Sequence, residues 1–362
     1  MRSITLLVLA VFFISACNKK TNDIAWERTY GKGKAVFISV APDSGLVACG
    51  TIGGKPYLIR LDKNKKIITE IEAESSGIFT SVVYDTSGYI TAGSSGGKML
   101  IMRYSRSGRL LWEKTINPGF NIDHTQLLII GDDNYLAVGS ADPDTIYNSQ
   151  TGLVLTSVDS TGLVLKEQNY LNGFFVAANE AVNDSKGNIY LALTRRESNS
   201  EPMATVAKFN SSFQRIWETE LVNNPAFGAA TLTILSDNEG TYFAGGRTQL
   251  PKDGGGTINN SFVAAINEAG TLIWKKYPEI SNSASALLLE PAGDLVVLNH
   301  NCFFINRLDR STGTDGGRIR MFEECDPNTT DAFASDSDFD IYGDLVIAGS
   351  LNGSFYLAVK SL

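Results

Sequence analysis

The stretch from Ser81 to Thr115, SVVYDTSGYITAGSSGGKMLIMRYSRSGRLLWEKT, constrains the fold more than any other, because its pattern returns along almost the whole chain. It reads as four short strands. An apolar segment (Val82–Tyr84) meets a turn at Asp85–Gly88, and the small-residue strand Tyr89–Gly93 follows. A Gly-rich turn then leads to Met99–Tyr104, and a second turn at Ser105–Gly108 leads to Leu110–Lys114. Short runs rich in β-branched and aromatic residues, bounded by Gly, Ser and Asp, are the mark of hairpins rather than helices.

Two anchors locate the repeats. The first is the small-residue second strand: Leu46–Gly50, Tyr89–Gly93, Tyr135–Gly139, Ile189–Leu193, Thr241–Gly245, Leu295–Asn299 and Leu345–Gly349. Most follow an acidic turn (Asp43-Ser-Gly, Asp85-Thr-Ser-Gly, Asp184-Ser-Lys-Gly, Asp237-Asn-Glu-Gly, Glu290-Pro-Ala-Gly). There the acid can bond backbone two residues on, and the Gly supplies the positive φ that tight hairpins need. The second anchor is the next hairpin, which starts at Arg60, Arg103, Ser157, Lys208, Ala265 and Arg307. A further copy begins at Lys360 and lacks its last strand. Ile24–Tyr30 (IAWERTY) resembles the missing piece (LLWEKTI) and precedes the first copy.

Placing Ile24–Tyr30 beside Phe355–Lys360 closes a ring of seven four-stranded sheets. The expected fold is therefore all-β, a seven-bladed β-propeller occupying 24–362 as one domain. Closure by the N-terminal strand also covers an edge that would otherwise template aggregation. The repeat resembles the PQQ-like and WD40-like propeller repeats of exported bacterial lipoproteins. The residues that carry the resemblance are the Gly ending the second strand, the D-x-x-G turns, and Trp112, Trp217 and Trp274 after the third-strand turn. Those tryptophans are expected to pack between neighbouring blades. The resemblance speaks to fold more than function. Quinoprotein dehydrogenases of this type carry an eighth blade and vicinal cysteines, which this chain lacks, so no bound quinone and no other cofactor is expected.

Met1–Cys17 reads as an export signal. Arg2 gives the positive n-region, Leu6–Ile14 an apolar core too short for a lasting membrane span, and Ser15-Ala16-Cys17 resembles a lipobox with Cys17 as the lipidated residue. Residues 18–23 form a polar tether. Asn18 stands where the family's inner-membrane retention signal has Asp, so the expected location is the outer membrane, with the chain held in the envelope by its lipid. The net charge of −8 becomes −9 without Arg2, and the one basic cluster is Lys63–Lys66. That balance argues against nucleic acid as a partner.

Chemistry-bearing patterns are sparse. Cys302 and Cys325 fall at opposite ends of one predicted hairpin in blade 6, where an oxidising envelope would join them as a disulfide. Cys49 reads as buried filler. Asp336, Asp338, Asp340 and Asp344 occupy positions 1, 3, 5 and 9 of a loop resembling the calcium loop of FG-GAP propeller blades, with Ile341 where that family has Gly. They are the candidate calcium ligands; the alternative is an ordinary acidic hairpin turn with extra solvated aspartates. The two histidines, His124 and His300, lie in different blades and are expected to act as isolated polar residues near one face. A nucleophile elbow and a phosphate loop are both missing.

Elaboration is one-sided. The long second-to-third-strand insertions Ala141–Thr151, Thr194–Met203 and Arg247–Ser261 belong to blades 3 to 5. They share a face with the links Asn117–Ile122, Leu171–Phe175 and Asn223–Phe227. Loops on a rigid scaffold carry function more often than the scaffold itself. Tyr147, Arg195, Arg196, Arg247, Phe120, Phe174, Phe175 and Phe227 offer aromatic and guanidinium groups for that purpose. The sequence thus favours a lipid-anchored, non-catalytic binding or scaffold module for an envelope protein or glycan. The alternative is a glycan lyase or hydrolase with a funnel site on the same face.

Overall fold

The computed structural model describes residues 24–85, 87–131, 133–141, 152–170, 175–197, 200–222, 228–251, 257–278, 283–290, 293–301, 303–321 and 331–362. Strands follow one another by antiparallel pairing, and seven four-stranded units emerge. β1 (Ile24–Val40), β2 (Leu46–Ile52), β3 (Lys55–Leu61) and β4 (Ile67–Glu72) build blade 1. Blade 2 holds β5 (Ile78–Asp85), β6 (Gly88–Ser95), β7 (Lys98–Ser105) and β8 (Leu110–Ile116). Blade 3 holds β9 (His124–Gly131), β10 (Asn134–Ser140), β11 (Leu153–Asp159) and β12 (Val164–Tyr170). Blade 4 comprises β13 (Phe175–Asn183), β14 (Ile189–Arg196), β15 (Met203–Phe209) and β16 (Arg215–Val222). Blade 5 comprises β17 (Ala229–Ser236), β18 (Thr241–Pro251), β19 (Thr257–Asn267) and β20 (Leu272–Lys276). Blade 6 comprises β21 (Ala284–Leu289), β22 (Leu295–Asn299), β23 (Phe304–Leu308) and β24 (Asp315–Arg320). Blade 7 has β25 (Ala332–Phe339), β26 (Leu345–Leu351) and β27 (Ser354–Lys360).

The fourth strand of blade 7 comes from β1. Its first half runs antiparallel to β27, from Ile24 opposite Lys360 to Lys32 opposite Ser354. Its second half then becomes the innermost strand of blade 1, from Gly33 opposite Ile52 to Val40 opposite Leu46. One 17-residue strand therefore joins the last blade to the first, and the ring closes as the repeat count required. The Tyr356 hydroxyl donates to Glu27 at 2.7 Å across the seam.

Apolar packing lies between blades. Leu136, Leu155, Leu191 and Phe209, for example, form one cluster from blades 3 and 4. The tryptophans act as expected. Trp112 Nε1 donates to Ser160 O at 2.9 Å, Trp217 Nε1 to Glu268 O at 3.2 Å, and Trp274 Nε1 to Arg310 O at 3.0 Å, each reaching the outer turn of a following blade. The glycine of that turn lies under the indole: a Cβ on Gly162, Gly270 or Gly313 would fall 2.8–2.9 Å from ring carbons of Trp112, Trp217 or Trp274. Trp and Gly recur together in the sequence because each makes room for the other.

The acidic turns serve the blades too. Asp85 pairs with the buried Arg103 guanidinium at 2.9 Å, Glu290 with Arg307 at 2.7 Å, and Asp43 with Arg60. The acid of the first turn thus meets the basic residue ending the third strand in three blades. Burying Arg103 without such a partner would be costly.

Candidate functional site

Six of the seven innermost strands carry a β-bulge at the same level: between Ala35 and Phe37, Phe79 and Ser81, Ala178 and Glu180, Thr231 and Thr233, Ala284 and Ala286, and Ala334 and Asp336. A bulge adds one residue without a cross-strand partner and re-aims side chains. The extra residues are Val36, Thr80, Asn179, Leu232, Ser285 and Ser335, and all six line one cavity of about 250 Å³ on the propeller axis. In blade 3, β9 pairs without that bulge, and His124 and Gln126 face the cavity instead.

The bulge also accounts for the glycine that ends the second strand. A Cβ on Gly50, Gly93, Gly246 or Gly349 would stand within 2.0 Å of the carbonyl oxygen of Lys34, Ile78, Ala230 or Phe333, just before the bulge. In blade 5 that residue is Gly246, one position beyond the glycine the sequence pattern marks. Leu193 and Asn299 occupy the equivalent places in blades 4 and 6.

An innermost strand has no further strand to pair with on its axial side, and the polar residues around the bulge satisfy that edge from the neighbouring blade. Ser81 Oγ accepts Leu127 N–H at 3.1 Å, Glu180 Oε2 accepts Ile234 N–H at 2.9 Å, and Asp336 Oδ2 accepts Ile38 N–H at 2.9 Å. Thr80 Oγ1 and Ser140 Oγ likewise accept Thr125 N–H and Ala178 N–H, and Asn179 Nδ2 donates to Thr231 O. Buried backbone donors demand such partners.

The electrostatics of the cavity are unusual. Burial pushes the Glu180 carboxyl up to about 7, offset by bonds from Thr233 and Ile234. Burial pushes Asp336 well above the carboxylate range, and the charge of Glu180 adds to it. His124 is driven down to about 4, chiefly by burial. One nitrogen of the His124 ring engages the Asn179 backbone, while Nε2 is shielded with no partner. His300 also lines the cavity; its Nδ1 lies 2.8 Å from Ala334 O and its ring stacks on Phe333. Toward the face carrying the second-to-third-strand connections, a second cavity of about 450 Å³ shares His300 and Ser335 with the first and is lined by Gly33, Lys34 and Thr51.

The two histidines line one cavity together with two carboxylates. Sequence reasoning missed Glu180 and this convergence. Aligning Phe79-Thr80-Ser81, Ala178-Asn179-Glu180 and Ala334-Ser335-Asp336 on the second-strand glycine would have placed them in one ring. The four aspartates do not converge. Asp336 and Asp338 bond Ile38 N–H and Val40 N–H of β1 from alternate positions of β25, and Asp340 closes its own turn onto Tyr342 and Asp344. Among the described residues, no group of three or more His, Cys, Asp or Glu stands placed to hold a metal ion.

The rim residues divide. Arg195 is tied to Glu218 at 3.1 Å and Glu197 at 2.6 Å, and Arg196 Nε donates to Ser200 O at 2.8 Å. Phe120 is buried at the interface of blades 2 and 3, so it is a packing residue rather than a rim contact. Arg247 stands at the base of a regular ribbon: its insertion is an extension of β18 and β19, from Arg247 opposite Ser261 to Pro251 opposite Thr257. Phe175 begins β13, and nothing further of its side chain is described. Cys17, Tyr147, Phe174, Phe227, Cys302 and Cys325 lie outside the described residues; Cys49 is a buried free thiol.

No family model matches the chain, and no curated protein matches it. Solved structures do. The WD40 domain of Neurospora crassa Pan2 is 14% identical with a TM-score of 0.60, over 91% of this chain and 90% of that one. A streptogramin B lyase is 13% identical with a TM-score of 0.63, over 93% and 98%. The β-propeller domain of Myceliophteria thermophila Cps50 (Swd1) is 11% identical with a TM-score of 0.60, over 94% and 100%. At such identities the likeness is one of fold, and the fold is the β-propeller.

Proposed function

We infer that this propeller is a non-catalytic binding module, lipid-anchored through Cys17 at the outer membrane, that holds an envelope protein or glycan on its second-to-third-strand face. One observation carries the reading: the insertion between β18 and β19 is built as a paired ribbon, from Arg247 opposite Ser261 to Pro251 opposite Thr257, on the face where the second strands meet the third. A rigid scaffold with elaborated connections around one opening is the arrangement expected of a docking face. The arginines Arg195 and Arg196 are held by their own blade, which speaks against their joining the axial carboxylates in catalysis.

The test is crosslinking and recovery from the native envelope with wild type and with the ribbon variant Arg247→Glu/Gln249→Lys. Loss of a recovered component in the variant, at unchanged thermal stability, is the expected result; identical recovery overturns the docking face. Cys17→Ser should move the protein from the membrane to the soluble fraction, and retention at the membrane would remove the anchor.

A second reading, a glycan-cleaving enzyme, is favoured by one arrangement, the convergence of His124, His300, Glu180 and Asp336 on one cavity. One similar structure is by name a lyase. Release of oligosaccharides from envelope glycans by wild type, lost in Glu180→Gln, would establish it in place of the first.

A further inference from the structure

The axial cavity presents acceptors almost without donors of positive charge. Glu180 and Asp336 each give one oxygen to a backbone N–H of the next blade, Glu180 also takes a bond from the Thr233 side chain, and Asp336 Oδ1 takes Ser337 N–H at 2.8 Å. A carboxylate has about four lone-pair sites, so each retains acceptor capacity after those bonds. His124 adds Nε2, a shielded ring nitrogen without a partner whose ring is held neutral. A polar atom so placed inside a cavity is costly unless something donates to it.

Among the described residues, the charged groups around Glu180 are few. Asp336 faces it from β25, His124 from β9, His300 from the end of β22, and Lys34 from β1 at the outer mouth. Arg195 on the neighbouring β14 is committed to Glu218 and Glu197. Lys34 is exposed, and its charge disfavours protonation of His124. The structural bonds to Ile234 and Ile38 explain why a polar side chain stands at each bulge, and Ser81 shows that a neutral hydroxyl meets the same need. They do not explain two acids and an empty imidazole acceptor within one cavity.

We propose that the axial cavity binds a small organic cation, an alkylammonium or alkylguanidinium, whose N–H groups are taken by Glu180 and Asp336 beside the His124 ring. An anion would meet two carboxylates, and the residues do not cluster for a bare metal ion. A neutral ligand would leave the opposition between the two carboxylates where it stands. A cavity of about 250 Å³ sits near the lower end of ligand-site volumes and suits a molecule of this size. The site stands whether or not the rim above it holds a macromolecule.

The experiment is isothermal titration calorimetry of n-butylammonium and n-butylguanidinium into the purified full chain at pH 6 and pH 8.5, with n-butylurea, butyrate and calcium chloride as comparisons. The cations should bind, more weakly at pH 6 by roughly fivefold or more, because Glu180 and Asp336, both raised by burial, must release their protons to receive them. Glu180→Gln, which keeps the acceptor for Ile234, should weaken binding roughly tenfold. Ser335→Trp, which fills the cavity and alters no charge, should abolish it. Equal binding of n-butylurea or butyrate, calcium displacing the cation, cation binding unchanged in both variants, or no heat for the cations at millimolar concentration would each overturn the proposal. If Glu180→Gln fails to fold, Ser335→Trp decides. Arg247→Glu/Gln249→Lys should bind the cations as wild type does, which separates this site from the docking face.

Discussion

The Asp336 carboxylate accepts the backbone N–H of Ile38 at 2.9 Å across the junction where blade 7 meets blade 1. The contact is structural before it is functional, since it satisfies a strand edge that no further strand can reach. Replacing Asp336 by Leu removes the acceptor and leaves a donor shielded from water, at an expected cost of about 1–3 kcal/mol. Asp336→Asn keeps an acceptor and loses a charge that burial already disfavours, so urea unfolding at pH 7 should place it within about 1 kcal/mol of wild type. Equal losses for both variants would mean the charge, not the acceptor, matters there.

The same geometry bears on calcium. Asp336 and Asp338 serve backbone N–H groups of β1, and Asp340 serves its own turn, so the alternation of acids along β25 reflects edge satisfaction rather than a coordination sphere. Thermal melts in calcium and in EDTA should coincide to within about 1 °C, since a ligand binding only the folded state raises the melting temperature. A calcium-dependent rise would restore the loop as a metal site.

Much of the fold was legible because the repeat couples residues that touch. Asp85 and Arg103 belong to different strands of one blade, yet their pairing shows in the sequence as an acid and a base at matching places in three of the copies. Ring closure was legible for the same reason, as Ile24–Tyr30 duplicates a fourth strand that blade 7 lacks. The axial site was not, because its members come from seven strands at long separations and are brought together by bulges. A bulge shifts register by one residue, and alternation alone gives no sign of it. His124 and His300 are 176 positions apart, and only the ring makes them neighbours of one cavity.

The pairing of Trp217 with Gly270 is a direct measure of blade-to-blade packing. Gly270 has φ near +83°, and an added Cβ would stand 2.8 Å from the indole. Gly270→Ala meets both an unfavourable backbone region and the ring, so a loss of about 1–3 kcal/mol is expected by chemical denaturation. Trp217→Ala should be costly by itself. In the double variant the clash with the indole disappears while that with Thr219 Oγ1 stays, and the two losses should fall short of additivity by at least about 0.5 kcal/mol. Strict additivity would show that the backbone, not the indole, sets the requirement for Gly270.

The first half of β1 should be indispensable despite lying at the end of the described chain. It supplies the pairing partner on the outer edge of β27, and without it Phe355 and Leu357 lose the cover of Trp26 and Tyr30 while that edge is laid open. A variant lacking 24–31 should aggregate or unfold with a broadened, less cooperative transition. A monomer with wild-type melting behaviour would show that closure contributes nothing.

Glu180 makes a prediction whose sign is fixed by its surroundings. Burial raises its folded-state pKa from the usual value near 4.5 to about 7, so the folded protein holds this proton more tightly than the unfolded chain does. Below the unfolded value both states are protonated and nothing is lost. As pH rises from about 4.5 the unfolded chain ionises first and stability drains away, until above about 7 both states are ionised and the loss is constant. His124 runs the other way, since its depressed value makes acid destabilising between about 6.5 and about 4, and it does so equally in wild type and in a Glu180 variant. The difference between the two proteins therefore reports the Glu180 carboxylate together with its charge effect on Asp336, which lies in the same direction. Glu180→Gln keeps an acceptor for Ile234 N–H and has no charge to bury, so its melting temperature should equal or trail wild type at pH 4.5 and exceed it at pH 8.5. Melts followed by circular dichroism across that range decide the matter: a difference that stays flat with pH would mean that Glu180 is solvated and that the axial cavity imposes no cost on its ionisation.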